Sequence, residues 1–101
     1  MNEQNRVAAF VDEHEWETEL AYRVVDLQSE VGEIAAEVTT STGYGSNPED
    51  ADIAADEIGD ALFALLAVAE SADVDASHAL ETAISKYERR IEETGDAGSG
   101  R

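Results

Sequence analysis

The sequence contains no cysteine, which removes disulfides and thiolate metal sites from consideration. Proline occurs once, at Pro48, so little interrupts long helices. Basic residues are scarce: 6 Lys and Arg stand against 24 Asp and Glu, a formal charge of −18 over 101 residues. Such a chain has no face for neutralising the phosphates of a nucleic-acid polymer, or for docking onto an anionic membrane. Long apolar runs are missing too. The longest, Ala61 to Ala69, falls far short of the roughly 20 residues needed to cross a bilayer. Met1 to Arg6 lead into no apolar stretch, so no signal peptide is expected. What remains is the expectation of one small cytoplasmic domain.

The charge coexists with 43% apolar residues, which is not the composition of a disordered acidic tail. At ordinary salt it would push a compact state apart. Near 1 M salt the screening length falls to about 3 Å and that penalty shrinks. The composition therefore suits a halophilic protein, with an acidic mesophilic interaction face as the alternative.

Ala, Glu and Leu dominate, and apolar residues recur at helical steps. A first helix is predicted from Asn2 to His14, with Val7, Phe10 and Val11 as its stripe. A second runs from Trp16 to Val38, where Leu20, Val24, Leu27, Val31, Ile34 and Val38 share one face. The polar, Gly-containing run from Thr39 to Asn47 is a loop. Asn47 and Pro48 are expected to start a third helix ending near Ala72. Asp75 caps a fourth, which Gly95 stops after Thr94. The fold class is all-α: a four-helix, bundle-like protomer over residues 1–94, with a loose tail over 95–101. The segment from Ala61 to Ala69 is apolar all round, more than so short a chain can cover alone, so a homo-oligomer is expected, dimer or tetramer, with the third helix at or near its interface.

Six acidic pairs are spaced three apart: Asp12/Glu15, Glu30/Glu33, Glu49/Asp52, Glu57/Asp60, Glu70/Asp73 and Glu93/Asp96. Most such pairs are solvated faces. Two differ in context, because Glu30-Val-Gly-Glu33-Ile and Glu57-Ile-Gly-Asp60-Ala are near copies set among apolar neighbours. A mid-helix glycine costs about 1 kcal/mol relative to alanine, and close approach of the two helices would explain Gly32 and Gly59. An antiparallel helix pair can then aim Glu30, Glu33, Glu57 and Asp60 into one volume. At about 4 Å and an effective dielectric near 20, each carboxylate pair repels by roughly 4 kcal/mol, so the set must take protons or a divalent cation. An all-oxygen set suits Mg²⁺ or Mn²⁺ and leaves coordination positions that phosphates can complete. The other reading places both pairs on outward faces. A di-iron centre requires two Glu-x-x-His elements, which are absent; His14 and His78 are surface or boundary residues.

Leu27-Gln-Ser-Glu-Val-Gly-Glu-Ile34, Asp56-Glu-Ile-Gly-Asp-Ala-Leu-Phe63, and Val74-Asp-Ala-Ser-His-Ala-Leu80 leading to Lys86-Tyr-Glu-Arg-Arg90 resemble, in that order, the MazG-type all-α nucleotide pyrophosphohydrolases. The resemblance extends over residues 7 to 92. It implies hydrolysis of a nucleoside triphosphate between its α and β phosphates, giving monophosphate and pyrophosphate. It further implies Mg²⁺ bound at Glu30, Glu33, Glu57 and Asp60, with Glu30 as the residue activating water. Lys86, Arg90 and Tyr87 fall at phosphate or substrate positions, and Trp16 near the base. Arg89 is read as solvated. Tyr87 stands where members often have Asn, Ala83 where many have Lys, and Ser29 where many have a further acid; Arg23 or a neighbouring subunit could supply missing grip on phosphate. Tyr44 is expected to pack at a loop end or to cover the base. The alternative to an enzyme is a non-catalytic acidic module for helical oligomerisation or regulation that retains a vestigial metal site.

Overall fold

The structure, a computed structural model, describes residues 2–96. These residues are helical with no strand: α1 (Asn2–Glu13), α2 (Leu20–Ser41), α3 (Ala55–Ser71) and α4 (Ala76–Thr94), with a single 3₁₀ turn (Pro48–Asp50) ahead of α3. The all-α class and the number of long helices match the sequence reading. Beyond Asp96, the expected loose tail lies outside the described residues.

Three boundaries differ by more than one residue, each at a particular hydrogen bond. Trp16 does not begin α2. Its N–H donates to Val11 O at 2.9 Å, closing the end of α1 over Glu15, which has φ 50°. The buried Arg23 guanidinium donates to Trp16 O and lies 5.5 Å from the centre of the Trp16 ring, pinning the connector, and α2 starts only at Leu20. At its other end α2 continues past Val38 to Ser41, and the Thr39 and Thr40 hydroxyls there each donate to a carbonyl one turn back at 2.8 Å instead of leaving the helix for a loop. Asn47 and Pro48 form a 3₁₀ turn rather than the start of α3. Asp52 N–H, which a continuous helix would keep in its own ladder, donates instead to Ser41 Oγ at 3.0 Å, and α3 begins at Ala55 after an extended Ala54. The fourth helix is bounded as predicted. Asp75 Oδ1 accepts from the N–H groups of Ser77 and His78, and Gly95 takes the left-handed conformation at φ 78°.

The α2 and α3 helices form the main pair, α1 lies along α3, and α4 barely touches the others. The core is small. Val7, Leu66 and Ala67 are buried, flanked by Val11, Phe63 and Ala76. Buried Gln4 joins α1 to the α3–α4 turn, donating from Nε2 to Glu70 Oε1 (3.0 Å) and Val74 O (2.8 Å) and accepting from Ala76 N–H (2.8 Å). Much apolar surface stays open in the protomer. Leu62 and Leu65 of α3 are about half exposed, as are Leu80, Ile84, Tyr87 and Ile91, which form one stripe along α4.

Candidate metal centre and adjoining cleft

Glu30 and Glu33 project from α2, and Glu57 from the first turn of α3. The pairing of these helices brings one carboxylate oxygen of each residue within 4.8 Å of the others. Glu30 and Glu57 are half-buried and Glu33 is exposed, whereas the four acidic pairs elsewhere in the chain are exposed throughout. Asp60 stands outside this close group, one turn from Glu57 on the same face, and borders the cleft beside Glu30.

The glycines do not bring the helices together. A Cβ at Gly32 or Gly59 would meet nothing within 4 Å. Each lies two residues after an inward acid, about 200° further round the helix, so inward acids turn the glycines outward. Nothing in the protomer requires glycine at either position.

The electrostatics are those of crowded like charges. Glu30 is held above the ordinary carboxylate range first by side-chain hydrogen bonding with Glu33, then by burial, and then by the charges of Glu33, Asp60 and Glu57. Glu57 is raised first by burial, then by Glu33, Glu37, Asp56 and Asp60. Three side-chain oxygens among the described residues are buried without a hydrogen-bond partner: Glu30 Oε2, Glu37 Oε2 and Glu57 Oε2. Buried anionic oxygens demand a proton or a cation. Hard oxygen donors with room for water or phosphate fit Mg²⁺ or Mn²⁺.

A cleft of about 480 Å³ adjoins the acids. Phe10, Trp16 and Phe63 wall one end, Ala64 and Ala67 line its α3 side, and Arg23, Asp26, Glu30 and Asp60 supply its polar groups. The Phe10 and Phe63 rings meet edge to face at 5.8 Å, and Trp16 lies 6.0 Å from Phe63. Trp16 is thus part of an aromatic wall beside the acids. Phe10 and Phe63 escaped the sequence reading because an aromatic on an apolar stripe looks like core. Glu37 escaped because it lies four residues from Glu33, outside the acid-x-x-acid pattern, although that spacing shares the same helix face.

None of the residues lining this cleft comes from α4. Lys86 and Arg90 instead flank the Tyr87 ring, at 5.1 and 5.8 Å from its centre. Arg89 is exposed, as expected. Tyr44 is 84% exposed rather than packed at the loop end; it follows Gly43 into a left-handed turn at φ 59°. His14 lies on the surface, its ring 4.4 Å from Phe10, and His78 is exposed in the first turn of α4.

No curated protein and no solved structure matches the chain significantly. The sequence pattern of the MazG nucleotide pyrophosphohydrolase domain, however, matches residues 17–94, a span that holds the acidic centre, Arg23 and the whole of α4. The chain belongs to this family of hydrolases acting on nucleotide pyrophosphate bonds.

Proposed function

We propose that the protein hydrolyses nucleoside or deoxynucleoside triphosphates to the monophosphate and pyrophosphate, using Mg²⁺, with Mn²⁺ as a substitute. The observation that carries this reading is the convergence of Glu30, Glu33 and Glu57, two of which (Glu30 and Glu57) have a buried, unpartnered oxygen, beside an aromatic-walled cleft. These three residues and Asp60 would hold the cation. When bound, it offsets charge building on the phosphoryl oxygens and lowers the pKa of a water. Glu30, at the junction of the acids and the cleft, would accept the proton of the attacking water. Trp16, with Phe10 and Phe63, stacks the base. Among the described residues Arg23 is the one cation lining the cleft, and Lys86, Arg90 and Tyr87 add phosphate and substrate contacts in the assembled protein.

The assembled protein is a homo-oligomer, dimer or tetramer. The protomer exposes 7348 Å², against about 5,500 Å² for a compact monomer of 10.8 kDa. Its radius of gyration is 16.5 Å, against about 13 Å for a compact chain of this length. The open stripe on α4 and the exposed leucines of α3 are the surfaces a second copy would cover. Sedimentation in high KCl is expected to give a dimer or larger species; a monomer contradicts this assembly. The setting we infer is a salt-rich cytoplasm.

Pyrophosphate release from a panel of NTPs and dNTPs, in high KCl with and without Mg²⁺, tests the activity. Glu57→Ala is expected to lower turnover by about a hundredfold or more, the loss of several kcal/mol of transition-state stabilisation. The exposed Glu49→Ala is expected to leave it unchanged. Absence of turnover on every nucleotide would favour the non-catalytic module.

A further inference from the structure

Trp16 is the only tryptophan of the chain, and it sits outside the helices, in the connector between α1 and α2. Backbone in such a segment has no helical ladder of hydrogen bonds to hold it, and a binding surface on a loop is less exactly placed than one on a helix. Packing does not make up the difference. The Trp16 ring lies 6.4 Å from Phe10 and 6.0 Å from Phe63, yet the residue remains 54% exposed.

Arg23 supplies the missing hold. It is 5% exposed, and a buried guanidinium is ordinarily matched with a carboxylate or another anion. Here both interactions of the guanidinium among the described residues go to Trp16: it donates to Trp16 O and lies over the Trp16 ring, 5.5 Å from its centre. The hydrogen bond fixes the backbone of the connector, and the stacked plane fixes the tilt of the ring. Lysine could make the first contact but has no plane for the second. Arg23 also stands in a wall common to two clefts. One holds Trp16, Glu30 and Asp60; the other, of about 240 Å³, lies between α1 and the C-terminal half of α3. With so little of its own surface open, Arg23 has little to offer a ligand directly.

We infer that Arg23 is a positioning residue: it holds the Trp16 ring as a wall of the cleft, and its effect on nucleotide affinity runs through that ring. The inference rests on the reading of Trp16 as the residue that stacks the base.

The test uses the full chain in high KCl and has two readouts. The first requires no nucleotide, because emission from a single tryptophan reports Trp16 alone. Arg23→Met keeps an apolar stem in a buried place and is expected to lower the fluorescence anisotropy of Trp16 and raise its quenching by acrylamide. Arg23→Lys, which keeps the hydrogen bond, is expected to fall between this variant and the wild type, and carries the comparison should Arg23→Met fail to fold. Arg89→Met, at an exposed position, should match the wild type. The second readout is a double-mutant cycle on pyrophosphate release. Arg23→Met and Trp16→Ala are each expected to raise KM about tenfold, toward the lower end of what a stacked base contributes, with kcat within about twofold. The double variant should be no worse than Trp16→Ala alone. Trp16 emission unchanged in both Arg23 variants, or effects on KM that add in the double variant, overturns the proposal. A wild type without turnover removes the proposed function but not the hold on Trp16, which the quenching data then uphold or overturn by themselves.

Discussion

The two halves of α3 do opposite work. Its C-terminal half buries Ala64, Leu66 and Ala67, the latter two in a core with Val7 of α1. Its N-terminal half carries Glu57 into a cluster of like charges, with an oxygen that has no partner. The first half contributes folding free energy and the second consumes it. Rigidity at one end of a single rod is what holds repelling groups in place at the other, and side chains that weaken the empty fold are the ones proposed to hold the cation.

Breaking the stabilising half gives the largest effect on folding. Leu66 is 3% exposed, and Leu66→Ala is expected to cost about 3 kcal/mol, measurable by urea unfolding in high KCl. In so small a core that is a large share of the total stability.

The acidic half is sharpened by pH, with a smaller effect of opposite character. Glu30 and Glu57 bind protons more tightly in the folded chain than at the ordinary carboxylate value near 4.5. The folded state therefore holds more protons than the unfolded state across the window above that value. The stability this provides is fully present below it and is lost as pH rises through the raised values. Metal-free protein should melt higher at about pH 5 than at about pH 7, and the Glu30→Gln/Glu57→Gln variant should flatten that difference. An unchanged slope in the variant would assign the pH dependence to the general surface charge instead.

The same contrast explains what could be read from the sequence. Helices were legible wherever apolar periodicity and end signals agreed: Leu27, Val31 and Ile34 mark one face of α2, and Asp75 and Gly95 bound α4. Repetition of acid, aliphatic, Gly, acid singled out the two motifs that bear half-buried acids from six acidic pairs. Tertiary capture was not legible. Arg23 reaching back to Trp16 delays α2, and Ser41 taking the N–H of Asp52 delays α3. Neither bond has a local signature. Gly32 and Gly59 misled because a missing side chain reads as close approach, while the helix geometry turns both outward. The cleft was half legible: Trp16 was singled out, but its meeting with Phe10 and Phe63 joins α1 and α3 to the connector between α1 and α2.

The most direct measurement is the melting temperature of chelator-treated protein as Mg²⁺ is added near neutral pH, with ionic strength held constant by KCl. A ligand at a hundredfold excess over its dissociation constant stabilises by about 2.7 kcal/mol, which in a domain of this size raises Tm by about 10 °C or more. That rise is expected in the wild type and should vanish in the Glu30→Gln/Glu57→Gln variant. A melting temperature indifferent to Mg²⁺, or an equal rise in the variant, would contradict a cation-binding role for the converging carboxylates.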